Sequence, residues 1–227
     1  MESPSSVPTT QWATAHAVPV RWMQQFRYFS FLYDKIRHLP GDVVECGVGE
    51  GNTIVMLAYL MGSESRQPPR SLWGFDSFEG FPEPSQWDAS FRNPQKGEWH
   101  ISEESVKQRF EESGIYRTYP HLDIRIQKGF LGKTLPNFPD HKIVFLHLDV
   151  DLYEGYRDGL EYLFPKVIKG GIVLFDEYRE FRPDNPAYGG KEKWPGCTKA
   201  VDEYFANRPE KIQYYPETMK YFVMKAT

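Results

Sequence analysis

The chain has 227 residues, of which 40% are hydrophobic, 16% aromatic and 26% charged, a composition typical of a folded globular protein rather than a disordered or fibrous one. A chain of this length buries enough apolar surface to fold without disulfide bonds or a structural metal, and one domain is expected. The formal net charge is −4, from 27 basic and 31 acidic residues. Because no long basic run occurs, nucleic acid is not expected as a partner.

Cysteine content and hydropathy indicate a cytoplasmic protein. The two cysteines, Cys46 and Cys197, are too few for a disulfide scaffold and lack the paired spacing of a zinc site. The longest apolar runs have the length of a strand, far below the roughly 18 residues of a membrane span. The N-terminal residues show neither the basic nor the apolar segment of a signal peptide. We therefore expect no membrane association.

The N-terminal region divides into two parts. Residues 1–16 are rich in Ser, Thr and Pro and predict a flexible arm. From residue 19 to 39, apolar residues recur three and four positions apart, which predicts a helix with one wide buried face. This helix is expected to cap a single domain that extends from residue 17 to 227.

Strand-like and helix-like segments then alternate. Strands are predicted at 43–46, 71–75, 122–127, 143–148 and 171–175, and helices at 52–61, 103–112, 153–167 and 197–207. This alternation predicts an α/β fold with a mostly parallel sheet and helices on both faces. Two further strand-like runs, 212–215 and 220–224, predict a C-terminal antiparallel hairpin.

Two long loops, 80–100 and 181–196, follow the carboxyl ends of predicted strands. Both are rich in Pro, Gly and aromatic residues and are longer than ordinary connections. In an open α/β sheet this edge is where ligands bind. Lids over a ligand site and plain surface insertions are both compatible with this pattern.

A glycine-rich turn between the first strand and the next helix predicts a nucleotide-type site. No Lys followed by Ser or Thr completes it, which excludes a P-loop. Glu45, at the strand end, would repel a pyrophosphate but suits a cationic ligand such as S-adenosylmethionine. The predicted cofactor contacts in this segment are Glu45, Gly47, Val48, Gly49, Gly51 and Asn52.

Two more strand ends add predicted cofactor contacts. Asp76 ends the second strand and is expected to accept both ribose hydroxyls, with Ser77 beside it. The alternative is that Asp76 caps the following turn. Gly129 and Phe130 follow the third strand and are expected to hold the adenine ring, although Phe130 also suits a core position.

Four acids follow two strands that are neighbours in the predicted sheet: Asp149 and Asp151 after the fourth, and Asp176 and Glu177 after the fifth. Carboxylates that converge at one edge repel each other unless a cation neutralises them. An all-oxygen set favours Mg²⁺, with Mn²⁺ or Ca²⁺ as alternatives. The alternative is that no metal binds, Asp151 caps the next helix and Glu177 faces solvent.

His147 lies two residues before Asp149. It is interpreted as a hydrogen-bonded residue of the sheet rather than as a ligand or a base. If the strand stays regular as far as Asp151, these three side chains share one face of the sheet.

Several of these segments together resemble the macrocin O-methyltransferase family. They are residues 45–48, 75–82, 148–154, 176–178 and 195–202, within a resemblance that covers 43–205. The resemblance implies a class I methyltransferase fold with Rossmann-like topology, S-adenosylmethionine as methyl donor and Mg²⁺-dependent transfer to a hydroxyl of a sugar or glycosylated natural product. It also implies a homo-oligomer.

The same resemblance assigns roles to the acids. Metal binding falls to Asp149, Asp176 and Glu177, the general base is Asp151, and Asp149 also contacts the cofactor. The family usually has a second Asp where this chain has Glu177. Three other functions remain open: a metal-dependent glycosyltransferase that uses residues 149–151, a catechol-type O-methyltransferase, and a binding protein without catalysis.

Overall fold

The computed structural model describes residues 18–64, 70–180 and 190–226; the predicted arm 1–16 and most of the predicted loop 181–196 lie outside them. The strands in these ranges are β1 (Asp42–Cys46), β2 (Ser71–Asp76), β3 (Asp123–Lys128), β4 (Ile143–Leu148), β5 (Val167–Phe175), β6 (Gln213–Tyr215) and β7 (Lys220–Met224). The α-helices are α1 (Val20–Ile36), α2 (Asn52–Gly62), α3 (Glu103–Ser113), α4 (Ile115–Thr118), α5 (Leu131–Thr134), α6 (Tyr153–Leu163) and α7 (Pro195–Phe205). None of the described helices is long and apolar enough to span a bilayer.

The strands form one sheet in the order β3-β2-β1-β4-β5-β7-β6. Strands β1 to β5 pair with one another in parallel, whereas β7 pairs antiparallel with both β5 and β6. The predicted fold class, with its mostly parallel sheet and C-terminal antiparallel hairpin, is confirmed. The chain leaves β1 towards β3 and returns to β4 on the other side of β1. The loops after β1 and β4 therefore diverge and open a crevice at the carboxyl edge.

Helices cover both faces of the sheet, as predicted. Because side chains alternate along a strand, Val43 and Phe145 pack with α1, α2 and α3 on one face. Leu146 and Val173 pack with α5, α6 and α7 on the other. Both cores consist mainly of fully buried aliphatic and aromatic side chains, which fixes the strand ends that carry the site.

The largest difference from the predicted elements lies after α6. The helix predicted over 153–167 ends at Leu163; a 3-10 turn at Phe164–Lys166 follows, and β5 begins at Val167 rather than at 171. Pro165 explains the early end because it has no amide N–H to continue the helical hydrogen bonds. Helix α7 begins two residues earlier than predicted, at Pro195, since proline is well tolerated in the first helical turn.

The predicted loop 80–100 is fixed to the body of the fold. It contains a 3-10 turn, Gln86–Asp88, and the buried Asp88 carboxylate accepts hydrogen bonds from the backbone N–H and the hydroxyl of Ser85, at 2.8 and 2.7 Å. Its other oxygen accepts the backbone N–H of Tyr153, the first residue of α6, at 2.8 Å. On the other side, a Cβ atom added at Gly196 of α7 would lie 1.9 Å from Asp88. The loop 80–100 therefore packs against both α6 and α7 through Asp88.

We expect Asp88→Ala to lower the free energy of unfolding by about 1–3 kcal/mol, because it removes the cap of α6 and leaves two partly buried backbone N–H groups without a partner. Thermal and urea denaturation measure the change. The matched control is Asp140→Ala, an aspartate whose side chain is 93% exposed and lies 3.5 Å from Lys166, for which a change below about 0.5 kcal/mol is expected. Equal stability of the two variants would contradict the anchoring role of Asp88.

Candidate functional site

The glycine-rich turn packs directly against the end of β4. Gly47, Gly49 and Gly51 all have left-handed backbones, with φ of +88°, +51° and +80°. A Cβ atom added at Gly47 would lie 1.7 Å from the carbonyl oxygen of Asp149. The turn after β1 and the first acid after β4 are thus in contact, and only glycine fits between them.

Asp76 holds this turn in place. One carboxylate oxygen accepts the backbone N–H of Gly49 at 2.9 Å, and the other accepts that of Phe78 at 2.8 Å. The hydrogen bond from Phe78 is the one expected if Asp76 caps the following turn. Because each carboxylate oxygen accepts more than one hydrogen bond, these contacts leave Asp76 able to bind a ribose, which stays a prediction.

An open cavity of about 580 Å³ lies at this edge of the sheet. Among the predicted site residues, those that line it are Gly47, Val48, Gly49, Asn52, Asp76, Ser77, Gly129, Phe130, Asp149 and Asp151. Glu45, Gly51, Asp176 and Glu177 are not part of its lining. Gly51 is buried and precedes the first residue of α2.

Glu45 is fully buried beneath the turn and faces His147 on the neighbouring strand β4. Its Oε1 lies 2.9 Å from Nδ1 of His147, which is the hydrogen bond predicted for a sheet histidine. Burial raises the pKa of Glu45 to about 7. Burial opposes the charged form of His147, but hydrogen bonds with Asp176 and Glu45 outweigh it and raise the pKa of His147 to about 10, which favours the protonated ring.

The four predicted acids converge as expected, in two overlapping groups. One ligand atom each from Asp149, Asp151 and Glu177 lies within 4.8 Å of the other two, and Asp149 forms a second such group with His147 and Asp176. The metal set that the family resemblance assigns, Asp149, Asp176 and Glu177, is therefore divided between two groups that share Asp149. Its role as one set stays a prediction.

Asp151 does not lie on a regular strand. The expectation that it shares one face of the sheet with His147 required such a strand. Strand β4 ends at Leu148, and Asp151 has a left-handed φ of +56°, a conformation that costs energy in a residue other than glycine. Its backbone N–H donates to Glu177 at 3.3 Å. The expected alternative, Asp151 as the cap of the next helix, does not hold, because Asp88 accepts the N–H of Tyr153.

The four acids of the site differ in the charges that surround them, and their pKa values shift in different directions. Burial, followed by repulsion from neighbouring acids, raises the pKa of Asp149, Asp151 and Glu177. At Asp176 burial acts in the same direction, but Lys220 and His147 outweigh it and lower the pKa. The Nζ of Lys220 lies 2.6 Å from a carboxylate oxygen of Asp176.

No Lys, Arg or His among the described residues forms an ion pair with Asp149, Asp151 or Glu177. Glu177 is instead held by the Tyr156 hydroxyl, which donates to it at 2.6 Å. The alternative in which Glu177 faces solvent is wrong, since its exposed fraction is 3%. The carboxyl groups of Asp149, Asp151 and Glu177 are an all-oxygen donor set of the kind that Mg²⁺ prefers.

Several residues of the site were not found from the sequence. Lys220 reaches Asp176 because the antiparallel pairing of Phe175 with Tyr221 places it beside the end of β5, and a strand register is not readable from one sequence. Trp22 on α1 and Trp99 in the loop 80–100 line the cavity. The aromatic content of that loop was the available signal for Trp99.

Comparison with known proteins agrees with this geometry. The model of the macrocin O-methyltransferase (TylF) family matches residues 20–209. A demethyldecarbamoylnovobiocin O-methyltransferase of Streptomyces niveus is 32% identical over 178 residues, which cover 74% of this chain and 60% of that protein. A tetracenomycin 4'-O-methyltransferase of Streptomyces olivaceus, whose substrate carries a dimethoxyrhamnosyl group, is 33% identical over 147 residues, 62% of this chain and 54% of that protein.

Solved structures share the fold. The calicheamicin methyltransferase CalS11 superposes with a TM-score of 0.73 at 26% identity, over 89% of this chain and 79% of its own. The O-methyltransferase NovP has a TM-score of 0.72 at 24% identity, over 90% and 81%. The chain spans 54–61% of the length of the curated relatives it matches. It has the class I methyltransferase fold and belongs to the macrocin O-methyltransferase family.

Proposed function

We propose that the chain is an S-adenosylmethionine- and divalent-metal-dependent O-methyltransferase that acts on a hydroxyl of a sugar or glycosylated natural product. The observation that carries this proposal is the contact between Gly47 and the backbone of Asp149, which puts a nucleotide-type turn in one cavity with Asp149 and Asp151. The sugar substrates named for its relatives support the acceptor class.

The proposed donor site lies along the carboxyl ends of β1, β2 and β3. The backbone of the glycine turn approaches the methionine part, Asp76 accepts the ribose hydroxyls, and Phe130 lies beside the adenine ring. All three line the same cavity. The carboxylates of Asp76 and Asp149 attract the positive charge of a sulfonium and an ammonium group, whereas they would repel a diphosphate.

The proposed cation site is centred on Asp149, which belongs to both acid groups. Glu177 and Asp176 are the other proposed ligands, and the geometry adds Asp151 as a competing one. A bound divalent cation supplies positive charge that lowers the pKa of a nearby acceptor hydroxyl. Glu177 is already oriented for such a role by Tyr156.

The proposed general base is Asp151, which lines the cavity with Asp149. Its raised pKa makes the carboxylate a better proton acceptor than an exposed aspartate. In the proposed reaction the acceptor oxygen forms a bond to the methyl carbon, the bond between that carbon and sulfur breaks with its electron pair on sulfur, and the hydroxyl proton moves to Asp151. Alignment of the two substrates in one cavity supplies much of the rate enhancement.

The general test is transfer of an isotope-labelled methyl group from S-adenosylmethionine to rhamnosides, supplied as thymidine diphosphate rhamnose, methyl α-L-rhamnopyranoside and 4-nitrophenyl α-L-rhamnopyranoside. We expect label in at least one sugar, at a hydroxyl. Tight binding of nucleotide sugars with transfer of the sugar itself, and no methylation, would contradict the proposal.

Gly47→Ala is expected to abolish donor binding, because the added methyl group meets the Asp149 carbonyl and the positive φ is itself unfavourable for alanine by about 1–2 kcal/mol. Calorimetric titration with S-adenosylhomocysteine measures binding. Gly190→Ala is the control: its φ is +72°, but nothing lies within 4 Å of the added atom, so it bears the backbone cost alone and keeps donor affinity. Wild-type affinity in Gly47→Ala would contradict the placement of the donor at this turn.

Asp151→Asn is expected to keep donor affinity within about two-fold while kcat falls by about 10²–10⁴, the usual contribution of a general base. The exposed Glu161 of α6 provides the control, as Glu161→Gln should keep wild-type kcat. A titration with Mg²⁺ separates the two roles of Asp151. An unchanged half-saturating Mg²⁺ concentration indicates a base, and recovery of kcat at high Mg²⁺ would instead make Asp151 a ligand.

Removal of divalent cations with EDTA is expected to abolish methyl transfer, because the acid group then has no counter-charge, and excess Mg²⁺ should restore it. EDTA that has been saturated with Mg²⁺ beforehand is the control and should leave the rate unchanged. A rate that persists after exhaustive chelation and dialysis would contradict the metal dependence.

A further inference from the structure

One wall of the cavity is aromatic and comes from the loop 80–100. The indole of Trp99 lines the cavity together with Phe81 and Pro82, and 53% of Trp99 is exposed. An exposed indole at the edge of a cavity offers apolar surface that a ligand in the cavity can cover.

The indole of Trp99 contacts three neighbouring side chains, those of Arg92, Phe81 and Trp194. The guanidinium of Arg92 lies 5.0 Å from the Trp99 ring and 5.5 Å from the ring of Trp194, within the range of cation–π attraction. Glu98 fixes that guanidinium through two of its nitrogens. The rings of Phe81 and Trp194 lie 5.2 and 5.8 Å from Trp99. The ring therefore loses little conformational freedom when a ligand covers it.

The backbone of Trp99 is strained as well. Its φ is +59°, a left-handed conformation that is unusual for a bulky residue. The loop around it is closed by backbone hydrogen bonds, from Phe81 N–H to Glu98 O at 3.0 Å and from Gly97 N–H to Phe81 O at 2.9 Å. Strain of this kind persists where surrounding contacts enforce it, and it is common at ligand-binding positions.

The loop that carries Trp99 is joined to the acid side of the cavity. Asp88 of this loop accepts the backbone N–H of Tyr153, two residues after Asp151, and Trp194, which contacts the Trp99 ring, directly precedes α7. A second exposed tryptophan of the same loop, Trp87, is 44% exposed but is not part of the cavity lining. Position in the cavity thus distinguishes Trp99 from an ordinary exposed tryptophan.

We propose that Trp99 is the acceptor-binding platform of this enzyme: a preordered indole on which a flat apolar face of the acceptor stacks. Two sources offer such a face, the C–H face of the sugar ring and a planar aglycone, and both interact with an aromatic ring in the same way. This inference rests on the proposed function and adds the residue that recognises the acceptor.

The experiment measures binding of two glycosides, with S-adenosylhomocysteine and Mg²⁺ present, to wild type, Trp99→Ala, Trp99→Asn, Trp99→Phe and the control Trp87→Ala. The glycosides are methyl α-L-rhamnopyranoside and 4-nitrophenyl α-L-rhamnopyranoside. Asparagine tolerates a left-handed backbone, so Trp99→Asn removes the ring without adding backbone strain at residue 99. Thermal denaturation checks that every variant is folded, and KM and kcat are measured wherever methyl transfer occurs.

We expect Trp99→Ala and Trp99→Asn to weaken glycoside binding about ten-fold with kcat within about two-fold, Trp99→Phe to recover most of the affinity, and Trp87→Ala to match wild type. If both glycosides lose affinity, the sugar ring is the group that stacks on Trp99. If only the nitrophenyl glycoside loses affinity, the aglycone is that group. Unchanged affinity in Trp99→Asn, a larger loss of S-adenosylhomocysteine than of glycoside, or no saturable glycoside binding by wild type would each overturn the platform. Glycoside binding that depends on Trp99 without methyl transfer would instead refute the proposed function alone.

Discussion

The site depends on one close backbone contact, between Gly47 at the end of β1 and the carbonyl oxygen of Asp149 at the end of β4. These two strands are neighbours in the sheet, yet the chain leaves them in opposite directions, which opens the cavity between their loops. Any side chain at residue 47 would separate the turn from the acids. The absence of a Cβ atom at this position keeps the proposed donor turn in a single cavity with Asp149 and Asp151.

A second constraint is how charge is distributed around the cavity. Asp176 faces Lys220 and His147, and His147 in turn faces the buried Glu45, so this part of the network is balanced by the protein itself. Asp149, Asp151 and Glu177 are crowded on the other side of the same strand ends. The carboxyl groups that have no ion-pair partner among the described residues are therefore concentrated where the proposed cation and the sulfonium would lie.

Much of the fold was predictable because it follows from local patterns. Alternating apolar segments gave the parallel strands, and the convergence of the four acids followed from strand order alone. The end of α6 at Leu163 differs from the predicted one because Pro165 interrupts a helical periodicity that continues to Val167. The shared face of His147 and Asp151 was an expectation for a regular strand, whereas the chain turns sharply at Asp151.

The remaining parts of the site depend on long-range contacts that a single sequence does not contain. Asp88 caps a helix that begins 65 residues later, and Lys220 reaches Asp176 only through the register of an antiparallel pair. Trp99 is positioned by Arg92, Glu98 and Trp194 together, and none of these pairings has a characteristic spacing. The residues at the strand ends were identifiable from the sequence. The residues that line the sides of the cavity, such as Trp99, and the basic partner of Asp176, Lys220, became visible only in the structure.

The most direct test of the central claim is a crystal structure with S-adenosylhomocysteine and Mn²⁺, in which anomalous scattering locates the metal. The account predicts a manganese peak bound to a carboxylate oxygen of Asp149, in the same cavity as the sulfur of the nucleoside. A nucleoside bound without any anomalous peak at the acid cluster, or a peak at a distance from Asp149, would contradict it.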